Sequence, residues 1–393
     1  MKEEIERYLW ELAQKGEKRE LTYLKPLSPS KVLIGGKVFL NLCSNSYLSL
    51  QYHPYVLEKT KKAIEMYGCG TCSSRSVSGS LDIFEELEAR IARFKGYKKG
   101  LLFSSGYHAN IGVITSLISK DDTVFSDELN HASLIDAIRL TRAKVVIYRH
   151  RDADDLERRL RAEAKKGKRF VITETVFSMD GDLAPLKELY ELKGAYDLFV
   201  IVDDAHGTGV FGERGRGVEE SFGVCGLFDV HIGTFGKALC SFGAFALSEP
   251  YVIDLLINKA RTFMYTTAPP ASFAASSLAT LDLLEEDPSL RKELWQKISH
   301  MRRGLEEAGF DLGESQGPIV PLVFGDDWTC LQVHRYLFEK GVFLQAIRPP
   351  TVPKGTSRLR LTVTRAMEED ELDLVISSLK EAAARTRSRR DNL

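Results

Sequence analysis

The sequence predicts an α/β fold: three α/β/α layers around a mostly parallel sheet, a smaller α/β domain after it, and a helical and strand segment before it. Three observations carry this. Between Gly100 and Val202, short apolar runs of strand length alternate with amphipathic helical stretches, as in strands joined by crossover helices. Polar and glycine residues fall where strands end, at Ser105-Gly106, Asp127, Ser178, Asp203, His206 and Thr234, which is where such sheets bind ligands. Beyond Lys237 the rhythm changes to long helices and then a second, shorter strand–helix series.

In chain order, Met1–Gly16 is charged and amphipathic, with Ile5, Tyr8, Leu9 and Leu12 on one helical face. Lys31–Leu42 reads as a strand pair turning at Gly35-Gly36. Ser44–Leu50 is a polar loop. Pro54–Tyr67 is a helix, Gly68–Gly79 a loop of Gly, Cys, Ser and Thr with a single charge, Arg75, and Ile83–Phe94 an amphipathic helix. The alternating part follows. Strands are expected at Gly100–Ser104, Thr123–Ser126, Lys144–Tyr148, Phe170–Glu174, Leu198–Val202 and Val230–Ile232. Helices are expected at Gly106–Ile118, His131–Thr141, Ala153–Lys166 and Pro185–Leu192. Helices follow at Pro250–Arg261, Ala271–Leu284 and Ser289–Ala308, then strand Ile319–Val323, helix Thr329–Lys340, strands Val342–Ala346 and Arg358–Val363, and helix Glu368–Ala384. The divisions expected are an N-terminal segment 1–50, a large domain 51–286, a small domain 287–384 and a frayed tail 385–393.

Composition narrows the class. The 393 residues are 44% hydrophobic and 28% charged with a formal net charge of −1. That is ordinary for a soluble enzyme and gives no positive field to attract nucleic acid. No apolar run approaches the roughly 18 residues of a membrane helix, and Met1–Gly16 lacks the apolar core of a secretory signal, so a cytoplasmic protein is expected. The six cysteines are scattered. Cys69-Gly70-Thr71-Cys72 has redox-motif spacing, but its Gly and Ser flanks suggest a backbone loop.

The chemistry concentrates between Leu198 and Lys237. A buried-strand run ends on Asp203-Asp204-Ala205-His206-Gly207, and Thr234-Phe235-Gly236-Lys237 follows the next strand-like run. A carboxylate, a histidine and a lysine at neighbouring strand ends suit pyridoxal phosphate. That cofactor takes a lysine amine for its aldehyde, a carboxylate for its ring nitrogen and donors for its phosphate. Other readings exist. A nucleotide loop needs a glycine six residues before its lysine and Ser or Thr after it; His231 and Ala238 stand there. Asp203, Asp204 and His206 are potential metal ligands, but no further pair completes a set, so no metal is assigned. Either aspartate is also a natural helix cap.

Several motifs together resemble the α-oxoamine synthases, pyridoxal-phosphate enzymes of the aspartate-aminotransferase fold type. They are Ser44-Asn45-x-Tyr47-Leu48, Ser105-Gly106-Tyr107-x-Ala109-Asn110, Asn130-His131-Ala132-Ser133, Val176-Phe177-Ser178-Met179-Asp180-Gly181-Asp182, Val202-Asp203-Asp204-Ala205-His206-Gly207 and Thr234-x-Gly236-Lys237. The likeness covers nearly the whole chain. The stretch Ala346–Thr362 is most similar to the members that join L-alanine to a pimeloyl thioester, on CoA or on acyl carrier protein. The departures are Cys72-Ser73-Ser74 where glycine is usual, Ser46 where Asp is common, and a segment one residue short before Pro269-Pro270.

The resemblance implies roles. Lys237 carries the cofactor on its amine and then takes the substrate α-proton. Asp203 faces the pyridine nitrogen. His131 stacks on the ring. Ser178 and His206 serve the phenolic oxygen, and His206 is counted with Lys237, Asp203 and His131 as catalytic. Gly106, Tyr107 and Thr234 serve the phosphate, with Thr266 reaching a phosphate across a homodimer interface. Asn45 and Arg360 take the amino-acid carboxylate, since a guanidinium grips a carboxylate with two bonds. Arg19 and Thr351 touch the acyl substrate. Without the resemblance, His131 at a helix start and Arg360 on a strand read equally as surface residues. Three rival functions stay open: a sister synthase using glycine or serine, an aminotransferase, and a non-catalytic subunit.

Overall fold

Seven strands form the central sheet: β1 Lys99–Phe103, β2 Thr123–Asp127, β3 Lys144–Tyr148, β4 Arg169–Glu174, β5 Phe199–Asp203, β6 Val230–Thr234 and β7 Ala244–Ser248. Their order across the sheet is β1-β7-β6-β5-β4-β2-β3. The computed structural model describes residues 1–14, 18–164 and 166–390. Every described pairing is parallel except those of β7, which runs antiparallel to both β1 and β6. Strands alternate their side chains between faces. Val171, Val200, Val202 and Phe245 therefore enter one core cluster, while Phe170, Ile172, Ile201, Ile232 and Ala246 enter the other. Two buried faces explain the unbroken apolar runs.

β7 is the element the sequence reading passed over. Its run, Ala-Phe-Ala-Leu-Ser, is short and two of its five residues are alanine. It also returns from β6 through the turn at 235–243, so no crossover helix announces it.

The layout fixes where ligands meet the chain. Asp203 ends β5 in register with Glu174 of β4 and Ile232 of β6. The helix Gly106–Leu117 begins three residues after β1, and Ser105 caps it by accepting the His108 amide at 3.2 Å. The helix Ala132–Thr141 follows β2 with His131 as its cap.

A three-stranded sheet, in the order Ile319–Gly325, Ser357–Thr362, Ala346–Ile347, forms the second α/β unit. The helices Ser289–Glu307, Asp327–Glu339 and Glu369–Arg390 accompany it. The strand expected over Val342–Ala346 is two short ones, Val342–Phe343 and Ala346–Ile347. The first lies parallel to Lys37–Asn41, so the N-terminal strand pair is joined to this unit by hydrogen bonds. The helix Glu369–Arg390 carries through most of the expected tail; residues 391–393 lie outside the described residues. The same holds for residues 15–17 at the end of the first expected helix, observed as Lys2–Gln14, and for residue 165 in the helix expected to Lys166, which is observed as Ala153–Ala162.

Candidate active site

At the carboxyl end of β5, Asp203 is buried and accepts two hydrogen bonds. One comes from the Ala205 amide at 3.0 Å and one from Asn110 Nδ2 at 2.9 Å. Three residues on, His206 is buried between two partners. Its Nε2 is 2.7 Å from Lys237 Nζ and its Nδ1 is 2.6 Å from Tyr47 Oη. Tyr47 Oη donates to Asn45 Oδ1 at 3.3 Å, and Arg360 Nη1 donates to the same oxygen at 3.1 Å. Five residues from four places in the chain thus form one connected run, Arg360–Asn45–Tyr47–His206–Lys237. Burial, reinforced by the Lys237 and Arg360 charges, holds the His206 pKa well below the ordinary imidazole value, so the ring is neutral. Burial also brings the Lys237 amine down to about 8, against the opposing pull of Asp203 and Glu174.

Arg360 is buried, not a surface arginine. Besides Asn45 it donates from Nε to the Ser178 carbonyl at 2.5 Å and from Nη1 to Thr362 Oγ1 at 2.9 Å. None of these bonds uses Nη2. His131 keeps an exposed ring while its Nδ1 accepts the Ser133 amide at 3.2 Å. Arg19 Nη2 donates to Thr351 Oγ1 at 2.9 Å, so the two residues expected at the acyl substrate meet across 332 positions of sequence.

The phosphate side is more mixed. A Cβ built on Gly106 would meet no atom within 4 Å, and the first amides of a helix lack intrahelical partners. Space and donors are both present there for an anion. The Tyr107 side chain is exposed and donates to Asp136 Oδ2 at 2.8 Å, so its amide is the group available to a phosphate. Thr234 donates its hydroxyl to the Gly243 carbonyl at 2.8 Å and accepts the Gly236 amide at 3.1 Å. Thr266 belongs to a segment tied to the 70s loop through Ser74–Thr267 pairing and an Ala268-to-Ser73 bond at 2.9 Å.

Asp204 turns into the protein interior, where its Oδ1 accepts the Val218 amide, the first of the helix Val218–Phe222, at 3.5 Å. Fully buried, it accepts from Lys95 Nζ and Thr208 Oγ1, each at 2.8 Å, and from Thr175 Oγ1 at 2.5 Å. Burial alone would raise its pKa, but Lys95 and His231 outweigh burial and hold it below the usual carboxylate value. The turn that carries Asp203 and His206 is thereby anchored to a buried ion pair.

The sequence reading left other residues out of the site. Tyr47, Asn110 and Ser133 all lie inside quoted motifs; spacing alone gave them no role. Glu174 faces the cluster from β4. Burial first, and Asp203 second, push its pKa far up, and its Oε1 has no partner among the described residues.

Comparison with known proteins now adds to this geometry. A profile described as "Aminotransferase class I and II" matches residues 37–379. A putative 8-amino-7-oxononanoate synthase of Geobacillus kaustophilus is 44% identical over 98% of this chain and 99% of its own. An 8-amino-7-oxononanoate synthase of Geobacter metallireducens is 46% identical over 92% and 93%. The chain belongs to the 8-amino-7-oxononanoate synthase family, within the class I and II aminotransferases. Among solved structures, a serine palmitoyltransferase from S. paucimobilis with bound PLP–myriocin aldimine superposes with a TM-score of 0.92. It is 29% identical, over 98% of both chains. The 8-amino-7-oxononanoate synthase of Francisella tularensis gives 0.76 at 26% identity, over 90% of this chain and 99% of its own. These neighbours establish the fold as that of the pyridoxal-phosphate transferases, in agreement with the sheet order.

Proposed function

We propose that the chain condenses L-alanine with a pimeloyl thioester, releasing carbon dioxide, free thiol and 8-amino-7-oxononanoate, with pyridoxal phosphate as cofactor. The observation that carries this is the run from Arg360 to Lys237. It sets a carboxylate-binding guanidinium and amide in one hydrogen-bonded chain with a half-buried amine, which is the arrangement an α-amino acid needs. The 40–46% identity to named 8-amino-7-oxononanoate synthases supports the choice of acyl partner.

The residues present fit the cofactor. Lys237 offers an amine lowered to about 8, Asp203 a carboxylate for a ring nitrogen, and His131 an exposed flat ring. Gly106 and Tyr107 offer the helix-start amides with open space above them. Ser178 and His206 are assigned to the phenolic oxygen, and Thr234 with Thr266 to the phosphate. Pyridoxal phosphate, when bound, supplies an electron sink for the carbanion formed at the α-carbon.

The chain's own work follows from position. Arg360 and Asn45 fix the substrate carboxylate. Lys237, whose pKa of about 8 keeps its neutral form within reach near physiological pH, takes the α-proton of alanine. His206 accepts from Lys237 and orients that amine. Arg19 and Thr351 meet the acyl chain. A homodimer is part of the proposal, because Thr266 is assigned to a partner's phosphate. No helix among the described residues is long and apolar enough to cross a membrane.

The test is direct. Purified protein with pyridoxal phosphate receives L-alanine and pimeloyl-CoA or pimeloyl-acyl carrier protein, and carbon dioxide and thiol are measured. Equal release of both supports the proposal; release only with L-serine and a long acyl-CoA would transfer the chain to the serine palmitoyltransferase reading that the 0.92 superposition favours.

A further inference from the structure

Behind Asp203 lies a second hydrogen-bonded run that ends on His131. Asn110 Nδ2 donates to Asp203 Oδ2 at 2.9 Å and to Ser133 Oγ at 2.8 Å. Ser133 Oγ in turn lies 2.7 Å from His131 Nδ1. Asn110 and Ser133 are each 1% exposed, so water does not compete for these bonds.

The directions in this run follow from the donors and acceptors present, with the backbone contact of Ser133 deciding the last one. An ionised carboxylate only accepts, so the Asn110 amide must turn its NH2 toward Asp203. The second hydrogen of that NH2 then points at Ser133 Oγ, which accepts it. The Ser133 backbone N–H, which only donates, lies on His131 Nδ1 at 3.2 Å and makes that nitrogen an acceptor. The Ser133 hydroxyl, 2.7 Å from the same nitrogen, therefore donates to it. A nitrogen receiving a hydrogen bond carries no proton.

This orientation leaves Asn110 Oδ1 buried without a partner among the described residues, at a cost of about 1–3 kcal/mol. The alternative orientation would set that oxygen against the Asp203 carboxylate 2.9 Å away and strand the carboxylate's bond as well.

We infer that Asn110 and Ser133 are positioning residues that hold His131 as the neutral imidazole with its proton on Nε2, converting an acceptor-or-donor ring into a hydrogen-bond donor facing the cleft. His131 Nε2 takes part in no hydrogen bond among the described residues, and the ring is exposed. The helix cap at Ala132–Thr141 therefore has a second use beyond starting the helix. The tautomer assignment stands on geometry alone. What the donor serves, an oxygen of the amino acid or of the acyl group, rests on the proposed function.

The test is ¹⁵N NMR on the full-length protein labelled at histidine, with the His131 signals assigned by their loss in His131→Asn. The wild-type protein is expected to show unprotonated Nδ1 and protonated Nε2. Ser133→Ala keeps the N–H contact but removes the hydroxyl. It is expected to give a mixed tautomer signal and about a tenfold fall in kcat, the loss of about one hydrogen bond, with KM for L-alanine changed less than twofold. Ser133→Thr, which restores a hydroxyl, is expected to recover the wild-type tautomer. Asn110→Leu keeps the volume but removes both donors and is expected to shift the tautomer in the same sense as Ser133→Ala. Circular dichroism and thermal melts establish that each variant is folded. A wild-type ring protonated at Nδ1, or a tautomer unchanged in both folded variants, overturns the inference. Because the NMR reading needs no turnover, it remains decisive even if alanine and pimeloyl thioester prove to be the wrong substrates.

Discussion

His206 Nε2 lies 2.7 Å from Lys237 Nζ, and the other nitrogen of the same ring lies 2.6 Å from Tyr47 Oη. A neutral imidazole accepts at one nitrogen and donates at the other. Tyr47 gives its own proton to Asn45, so it accepts from His206 Nδ1, and Nε2 is left to accept from the lysine. The contact thus has a direction. It points one N–H of Lys237 at the protein and leaves the amine oriented by a ring that burial keeps uncharged.

The first prediction concerns the amine. Only a neutral amine attacks an aldehyde, and the Lys237 pKa of about 8 lies below that of ordinary lysine because burial disfavours the charged form. Cofactor loading into cofactor-free protein should rise about tenfold per pH unit below 8 and level off above it. Stopped-flow absorbance at several pH values measures this. A lysine of ordinary pKa would keep the rate climbing past pH 9. Lys237→Ala should show no loading band and lose turnover by about 10²–10⁴-fold or more.

The second prediction isolates Tyr47. Replacing it by Phe keeps the buried ring but removes the hydroxyl that links His206 to Asn45. A neutral hydrogen bond is worth about 1 kcal/mol net, so kcat should fall about five- to tenfold. Losing a partner of Asn45 should also raise KM for the amino acid. Steady-state thiol release with L-alanine varied reads both constants. An unchanged KM would show that Asn45 is held well enough by Arg360 alone.

Much of this was legible in the sequence, and the reasons differ by residue. Lys237, Asp203 and His206 stand at strand ends, and strand ends are visible in the apolar runs before them. Arg360 and Asn45 are 315 positions apart, and only the strand Ser357–Thr362 brings them together at 3.1 Å. Their shared task came from resemblance, not from spacing. The role of Asp204 was not legible because its partner, Lys95, sits at the end of a helix 109 positions earlier, and lysine at a helix end ordinarily signals solvent. β7 escaped because alanine-rich strands carry little strand propensity.

The third prediction takes up that buried pair. Lys95 and Asp204 are both 0% exposed. Lys95→Met removes one charge and leaves the other uncompensated, which costs about 3–5 kcal/mol for buried pairs. Urea unfolding should register that loss. Removing both charges, in Lys95→Met with Asp204→Asn, should recover part of it. If the double variant is as unstable as the single, the loss comes from packing around the lysine stem and not from a stranded carboxylate. Any folded variant should also bind cofactor less tightly, since Asp203 and His206 ride on the same turn.

The last prediction concerns His150, away from the cleft. Its Nδ1 lies 2.9 Å from Asp127 and its Nε2 2.9 Å from Asp182. Burial opposes charge on the ring, but the two carboxylates outweigh it and raise the pKa to about 9. The folded value is above the ordinary imidazole value near 6.5. The folded state therefore holds a proton that the unfolded chain gives up first, and the stability this contributes is present in full below about pH 6.5. It is lost as pH rises through 9. Other groups titrate in that window, so the informative quantity is the difference between wild type and His150→Gln. Unfolding free energies from urea melts at pH 6 and pH 9.5 should show a wild-type advantage at the lower pH that shrinks at the higher. An advantage independent of pH would mean that His150 contributes by packing against Phe177, whose ring it meets edge-on at 4.3 Å, and not by its charge.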